Sequence, residues 1–584
     1  METSCIRTGQ NPRIHQIFRE DARQKMRRST IVAFERFRSA LKFKNATSKF
    51  KSFARENRVI VSNPQGIVLV ENRNWADGSL ALLAFLPAAL LHHNATPIVY
   101  EMTNLRHIFS IKRIIRLRVK QKFSVLNCIA KSKYMLVGAI PKVLSVHEEI
   151  INKITSEHVT KREFESFCYR ELLLGDLIYD HYLRKTGKLT LDFKDPTLKL
   201  IISIFLQHVD YFMEYFETHF VKAVIISHPV YHYGIPARIA SAKGIPAYLV
   251  EVKRVTRIYD SNKFPYSSDW ENLRSDFKRL TGSQRIMGLE RGEIRLKARI
   301  SGYKGDLGGD QNWISEFGNS WKFNPSSMKY GSSVLVALHD FIDACHRYGP
   351  GFYPDFYEWL IDIAEMSKES NLNWLIKPHP WALRDVDREL ETLVKSYPHL
   401  KLVPSSFDNR KLVESGLKYC LTVHGHIAHE LPLAGIVVVN ASKNNPHREF
   451  DFSISPQNLE QFREIITNLD LVEYRPHKES LYEFYFMHYI FNLISWCIPN
   501  YSKFIEEMKT RRNFNSEKLY SWYFQTENKY NLRCIRQVVD NYLNSTDTIL
   551  GRKHFSDIQC DKSTKCKCQE TRNINLLFKE NWVE

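Results

Sequence analysis

The sequence predicts an α/β protein carrying two Rossmann-like units in tandem. Three observations predict it. Short β-branched runs alternate with helical stretches between Arg58 and Val252, and the same alternation restarts near Ser333 and delivers five short strands by Asn440. The 584 residues suffice for two large domains or three to four average ones. With 43% hydrophobic and 12% aromatic residues there is ample material for ordinary cores, which excludes global disorder.

Taken in order, residues 1–57 form a basic, helical-looking leader with 14 Lys or Arg against 5 Asp or Glu, interleaved with Phe34, Phe37, Phe43 and Phe50. Such a stretch suits an anionic membrane surface or nucleic acid, a basic residue near anionic lipid contributing about 1 kcal/mol; it suits a solvated helix without a partner equally well. From Arg58, VIVSNPQGIVLVE reads as strand, NWADGS as a loop, Leu80 to Leu91 as an apolar helix and ATPIVYE as the next strand. The apolar run is about a dozen residues long and contains Pro87, short of the roughly 18 residues a bilayer span needs, so it reads as a buried helix. No signal-peptide order is legible at the N-terminus.

Further strands fall at Tyr134–Gly138, Ala223–Ser227 and Ala247–Val252, with a helix from about Pro236 and a helical insertion over about 145–220. This first unit covers 58–325. Its last part, about 300–330, is rich in Gly, Ser and Asn and reads as a linker or an ordered active-site loop. The second unit, 326–480, contains VLVAL, a helix over Phe356–Ser367, NWLIK at Asn373–Lys377, KLVP at Lys401–Pro404, a helix over Asn409–Ser415, YCLTV at Tyr419–Val423, a helix from Ile427 and GIVVVN at Gly435–Asn440. Helices follow over 481–550, then a disordered-looking tail over 551–584. Ten scattered cysteines do not form a secreted disulfide framework, so a reducing compartment and a cytoplasmic location are expected.

Five places could carry chemistry. In NWLIKPHPWAL a strand delivers Lys377, Pro378, His379 and Pro380 to its C-terminal end, where ligands of open α/β sheets collect; the prolines stiffen the turn around the imidazole. In LTVHGHIAHELPL a strand ends in Thr422, His424, Gly425 and His426 and a helix opens after it, which points free backbone N–H groups at a ligand, with Glu430 placed to accept from ribose hydroxyls. The His424, His426, His429 and His447 spacing matches no zinc pattern, and Cys560, Cys566 and Cys568 are too irregular for one, so no metal site is expected. The loop after VLVAL brings His339, Asp340, Asp343 and His346 to the presumed cleft as an acid/base inventory. AVIISHPVYHYGIPARIA offers His228 and Arg238, and NWADGS offers Asp77 at a helix start, a base or simply a cap. P-loop, dinucleotide and nucleophile-elbow motifs are absent, as is any RNA-binding aromatic motif, so no nucleic acid is expected.

Four blocks in order, "SHPVYHYGIPARIASAKGIPAYLV", "ALHDFIDACHRYGPGFYPDFYEWL", "NWLIKPHP" and "LTVHGHIAHELPLAGIVVVNASKNNPHREFDF", resemble the capsule or surface polysaccharide glycosyltransferases related to capsular Kdo transferases. The resemblance spans roughly 58–480. It implies a GT-B fold, with two Rossmann-like domains facing across a cleft, the acceptor on the first and the nucleotide-sugar donor on the second. It also implies a CMP-sugar such as CMP-Kdo, a glycan or glycolipid acceptor reached at the membrane's cytoplasmic face, no cofactor and no divalent metal. His379 and Pro380 match a His-Pro motif placed around the nucleotide, and the Thr422–Glu430 block matches the loop and helix that contact donor phosphate and ribose. His426 departs from that pattern, which often has a small hydroxyl residue there. On this scheme Lys377, His379 and His426 stabilise the nucleotide, and Asp343, Asp340 or Asp77 deprotonates the acceptor. An inactive carbohydrate-binding scaffold and a teichoic-acid-type polyol-phosphate transferase are the alternatives.

Overall fold

Two twisted sheets, each winding outward from its middle strand, carry the chain. The computed structural model describes residues 46–72, 76–104, 124–260, 264–301, 332–380, 382–492, 495–498, 516–526 and 531–555. Most of the basic leader, nearly all of the 300–330 stretch and most of the tail, including its three cysteines, lie outside the described residues.

The first sheet is built from β1 (Ile67–Glu71), β2 (Thr96–Asn104), β3 (Lys133–Ala139), β6 (Val221–Ile226), β7 (Ala247–Val250) and β8 (Val255–Ile258). Its spatial order is β3-β2-β1-β6-β7-β8, parallel throughout except for the β7–β8 hairpin. Between β3 and β6 a two-residue pair, β4 (Cys168–Tyr169) and β5 (Leu172–Leu173), sits within the helical insertion. The second sheet is built from β9 (Ser333–Ala337), β10 (Asn373–Lys377), β11 (Leu400–Leu402), β12 (Leu417–Thr422) and β13 (Val437–Asn440), in the all-parallel order β11-β10-β9-β12-β13. Continuous apolar runs such as VLVA and VVVN suit strands buried on both faces, and helices cover both faces here. The two-Rossmann-unit architecture is therefore as the sequence predicts.

Each sheet reverses its winding once. In the first the reversal lies between β1 and β6, in the second between β9 and β12. At such a point the loops leaving adjacent strands diverge to opposite faces and leave a crevice at the strands' carboxyl ends.

The helix Ala76–His92 has no polar stripe, and Leu80 to Leu90 are almost wholly buried, which requires cover on every side. The sheet covers one side; the helices Ser516–Gln525 and Leu532–Leu543 cover the other, so the C-terminal region completes the first core rather than standing apart. Phe50, one of the aromatics interleaved in the basic leader, is buried and stacked on Tyr520 at 4.1 Å. Of the run VIVSNPQGIVLVE only IVLVE becomes a strand; Ile60 is 77% exposed, because Pro64 follows too closely for a ladder to form. On the opposite face the helices Ser145–Ile154, Lys161–Glu165, Gly175–Thr186 and Pro196–Thr218 supply the expected insertion. The edge strand β8, which the pattern did not announce, is capped by residues 548–550: Arg257 N donates to the Thr548 carbonyl at 2.7 Å and Leu550 N to the Val255 carbonyl at 3.0 Å. No helix among the described residues is long and apolar enough to cross a membrane.

The helix Gly282–Ile300 packs on the helix Lys478–Phe486 through Gly288 and Gly292, one turn apart. A Cβ on Gly292 would collide with the Tyr482 carbonyl, and one on Gly288 would lie 3.0 Å from the Phe486 ring. Gly292→Ala is expected to lower stability by about 1–3 kcal/mol despite its better helix propensity, since backbone cannot yield as a side chain does. Gly282→Ala, which meets nothing within 4 Å, is expected to be neutral or stabilising in the same thermal melts.

Candidate functional site

At the second switch point a polar clip joins the two diverging loops. His339 follows β9 and Thr422 ends β12. His339 Nε2 accepts from His424 N at 3.2 Å and lies 3.3 Å from Thr422 Oγ1, which accepts from Gly425 N at 3.3 Å. This order makes His339 a neutral imidazole protonated on Nδ1. Burial and the neighbouring His424, His379, His426 and Arg347 charges hold its pKa well below the ordinary histidine value, in the same sense. Its ring stacks on Phe356 at 4.7 Å and lies 4.4 Å from His424. Gly425 is required for the closeness: a Cβ there would sit 2.8 Å from Thr422 Oγ1.

Around this clip stand His379, whose pKa burial pushes down to about 4 against the opposing Asp343 charge, and His424, pushed down to about 3 chiefly by burial. His424 also lines, with Cys345, Tyr348, Asp355, Phe356 and Ser442, a pocket of about 20 Å³, room for one or two waters on the scale where one needs about 10–15 Å³. Arg347, resting against the Tyr266 and Tyr348 rings at 4.9 Å each, lowers both His339 and His424 through its charge.

Several expected site residues are engaged elsewhere. Lys377 is buried and donates to the Phe407 carbonyl at 2.6 Å and to Asn409 Oδ1 at 2.7 Å, so it holds the loop after β11. Glu430 is buried and accepts from Arg299 Nε at 3.1 Å instead of facing a ribose. Arg238 forms a two-pronged ion pair with Asp176 at 2.7 and 2.5 Å inside the first half. The anticipated helix start at Ile427 is a single turn, Ile427–Glu430, and the N–H groups of His424 and Gly425 are taken by the clip. His426 begins that turn, and Pro380 is half-buried beside His379. His429 and His447 belong to a buried chain, Tyr489 Oη to His429 Nδ1 at 3.3 Å, His429 Nε2 to His447 Nδ1 at 2.8 Å and His447 Nε2 to Asn440 Oδ1 at 3.1 Å.

Among the three acids proposed as base, Asp340 is buried and accepts from Ile342 N at 3.2 Å and Leu383 N at 2.9 Å, which makes it a loop anchor. Asp77 accepts from Gly78 N at 2.8 Å at its helix start, and its charge is felt by Cys497 and Tyr520 of the C-terminal region. Asp343 is 46% exposed at its side chain; it accepts from Tyr231 of the first half at 3.1 Å, pairs with Arg347 at 3.8 Å, and its charge reaches His379.

The first switch point has its own clip, one the sequence reading did not single out. Glu71, ending β1 and 5% exposed, accepts from Ser227 N at 2.6 Å and from Ser227 Oγ at 2.8 Å; Ser227 Oγ in turn lies 2.9 Å from His228 Nδ1. With Ser227 donating to the carboxylate, its oxygen accepts from Nδ1–H, and His228 keeps Nε2 as its acceptor. The signal was available as an acidic residue closing a β-branched run at a first strand's end.

No family model matches the sequence, and no curated protein matches it. Among solved structures the chain is similar to UDP-GlcNAc 2-epimerase from Neisseria meningitidis bound to UDP-GlcNAc, at 12% identity over 76% of this chain and 98% of that one, with a TM-score of 0.21. It is similar to MurG of Acinetobacter baumannii at 10% identity over 72% and 94%, TM-score 0.23, and to Anabaena HepE in complex with UDP and glucose at 8% over 79% and 99%, TM-score 0.21. Likenesses of this strength carry no argument; the fold rests on the two sheets themselves.

The depressed histidines make stability depend on pH in a definite sense. His379 and His424 titrate at about 4 and about 3 in the folded chain and near 6.5 when unfolded. Between those values the unfolded chain binds the proton first, so their contribution is complete above about pH 6.5 and is lost as pH falls. The slope is up to about 1.4 kcal/mol per pH unit for each such residue. His424→Gln is expected to flatten the fall in melting temperature between pH 6.5 and 4 relative to the unchanged chain; an unaltered pH profile would contradict the assignment.

Proposed function

We propose that the chain transfers a sugar from a nucleotide-sugar donor to a hydroxyl of a glycan or glycolipid acceptor. The observation that carries this reading is the His339–Thr422–His424 clip at the second switch point, where a rigid crevice edge presents imidazoles and Arg347 at the strands' carboxyl ends. Such transfer needs donors for the departing phosphate, a base for the acceptor hydroxyl and exclusion of water. The second half supplies the donors through His379, His424, His426 and Arg347, without a divalent ion taking part in the transfer. Asp343, at the cleft between Tyr231 and His379, takes the acceptor proton. The resemblance to capsular Kdo transferases favours a CMP-sugar, and the basic leader favours an acceptor met at the cytoplasmic face of an anionic membrane.

A thermal-shift series with CMP, CDP, UDP and GDP tests this, since a ligand at about 100 times its dissociation constant stabilises by about 2.7 kcal/mol. A CMP-selective shift, lost in His379→Ala, is expected. Asp343→Asn is expected to keep the shift and to lower turnover by about 10²–10⁴-fold. A UDP- or GDP-selective shift changes the donor class, and binding without turnover of any CMP-, UDP- or GDP-sugar favours a carbohydrate-assembly scaffold.

A further inference from the structure

We propose that Asp180, Cys345 and His346 bind one divalent transition-metal ion of the zinc class, clasping the helical insertion of the first half to the loop that follows β9. The three donor atoms converge on one point from two distant parts of the chain. Asp180 Oδ1 lies 2.7 Å from His346 Nδ1 and 3.2 Å from Cys345 Sγ, and Sγ lies 3.3 Å from the same Nδ1. All three ligand atoms fall within 4.8 Å of one another.

A single Nδ1–H aims at one acceptor, so this three-cornered arrangement exceeds what one imidazole hydrogen bond needs. It does match coordination. With bonds of about 2.0–2.3 Å, tetrahedral ligand atoms stand about 3.3–3.7 Å apart, so the two sulfur edges open by a few tenths of an ångström and the Asp180–His346 edge by well under 1 Å. The remaining shell is in place. Glu165 Oε2, 3.4 Å from His346 Nε2, is the outer carboxylate that takes the far ring N–H and leaves Nδ1 as the lone pair, and Arg162 holds the other Glu165 oxygen at 2.5 Å.

Asp180, Glu165 and a Cys345 thiolate carry three negative charges, and Asp355 adds a further one beside the thiol, against two on the ion and one on Arg162; binding releases the thiol proton to solvent. Asp180, Glu165 and His346 are buried, with side chains 1–3% exposed, whereas Cys345 also lines the water-sized pocket beside His424, which gives the ion a way in. The site takes no direct part in the transfer proposed above.

The test uses the full chain without a polyhistidine tag, freed of loosely held ions by gel filtration with dilute chelator. Roughly one zinc per chain is expected by mass spectrometry. The same is expected when Cys560, Cys566 and Cys568 are all replaced by Ser, and less than a tenth as much in Cys345→Ser or His346→Gln. Cobalt added to the metal-stripped chain carrying the three tail Ser substitutions is expected to give a thiolate-to-cobalt charge-transfer band, so the reading does not depend on a variant of the proposed ligands folding. No such band, or zinc lost with the tail cysteines and kept in Cys345→Ser, overturns the proposal.

Discussion

The clamping of the loop after β9 by the helical insertion is the constraint on which the rest depends. Asp355 sits at its centre, 3% exposed. One of its oxygens caps the helix Phe356–Met366 by accepting from Tyr357 N at 2.9 Å and Glu358 N at 2.8 Å; the other accepts from the first half's Tyr179 at 2.5 Å and Thr190 at 2.6 Å. A carboxylate this buried is tolerable only because all these donors meet it. Arg162 reaches across to the Gly351 and Phe352 carbonyls at 3.1 and 2.6 Å, and Lys161 pairs with Glu358. Between these anchors and β9 lie His339, Asp343 and Arg347, so the shape of the crevice wall is set by contacts the second half cannot make alone.

The two switch points solve one problem with different chemistry. Where a sheet reverses its winding, adjacent loops separate and expose strand ends, and something must tie them. In the first half an anionic tie does so, Glu71 to Ser227; in the second a neutral one does so, His339 to Thr422 and His424. Both are short-range hydrogen bonds across parallel neighbours, and both leave an imidazole, His228 or His424, at the crevice.

Strands were the legible part of the sequence. NWLIK became β10 at its expected bounds, and VLVAL, YCLTV and GIVVVN shifted by only one or two residues, because buried parallel strands are written locally as β-branched runs. The helix Ala76–His92 was equally plain from its apolar run. What sequence spacing could not carry was the partner of each charged residue. Lys377 meets Asn409, Arg238 meets Asp176 and Glu430 meets Arg299, separated by 32, 62 and 131 positions. A charged residue at a strand end looks the same whether a ligand or a distant helix satisfies it. The histidine-rich block shows the same limit within one motif: His424 reaches the crevice, while His429, five residues on, turns into a core chain closed by Asn440.

Burial on this scale decides what kind of surface the second half offers. His339, His379 and His424 all have their pKa values driven down chiefly by desolvation, so near neutral pH the crevice edge consists of uncharged rings, each with one N–H, and Arg347 is the fixed charge beside them. An edge of imidazolium ions would attract any anion from a distance, and salt would screen it. Neutral donors act only at contact and discriminate by geometry, because each unpaired donor left facing the wrong ligand costs about 1–3 kcal/mol. In the first half Glu71 accepts from Ser227 Oγ at 2.8 Å, and Glu101 accepts from Asn72 at 2.6 Å and from Tyr134 at 2.7 Å. The two strand-end ties thus differ in kind: imidazoles with Arg347 beside them line the second half's crevice, whereas a buried carboxylate closes the first half's.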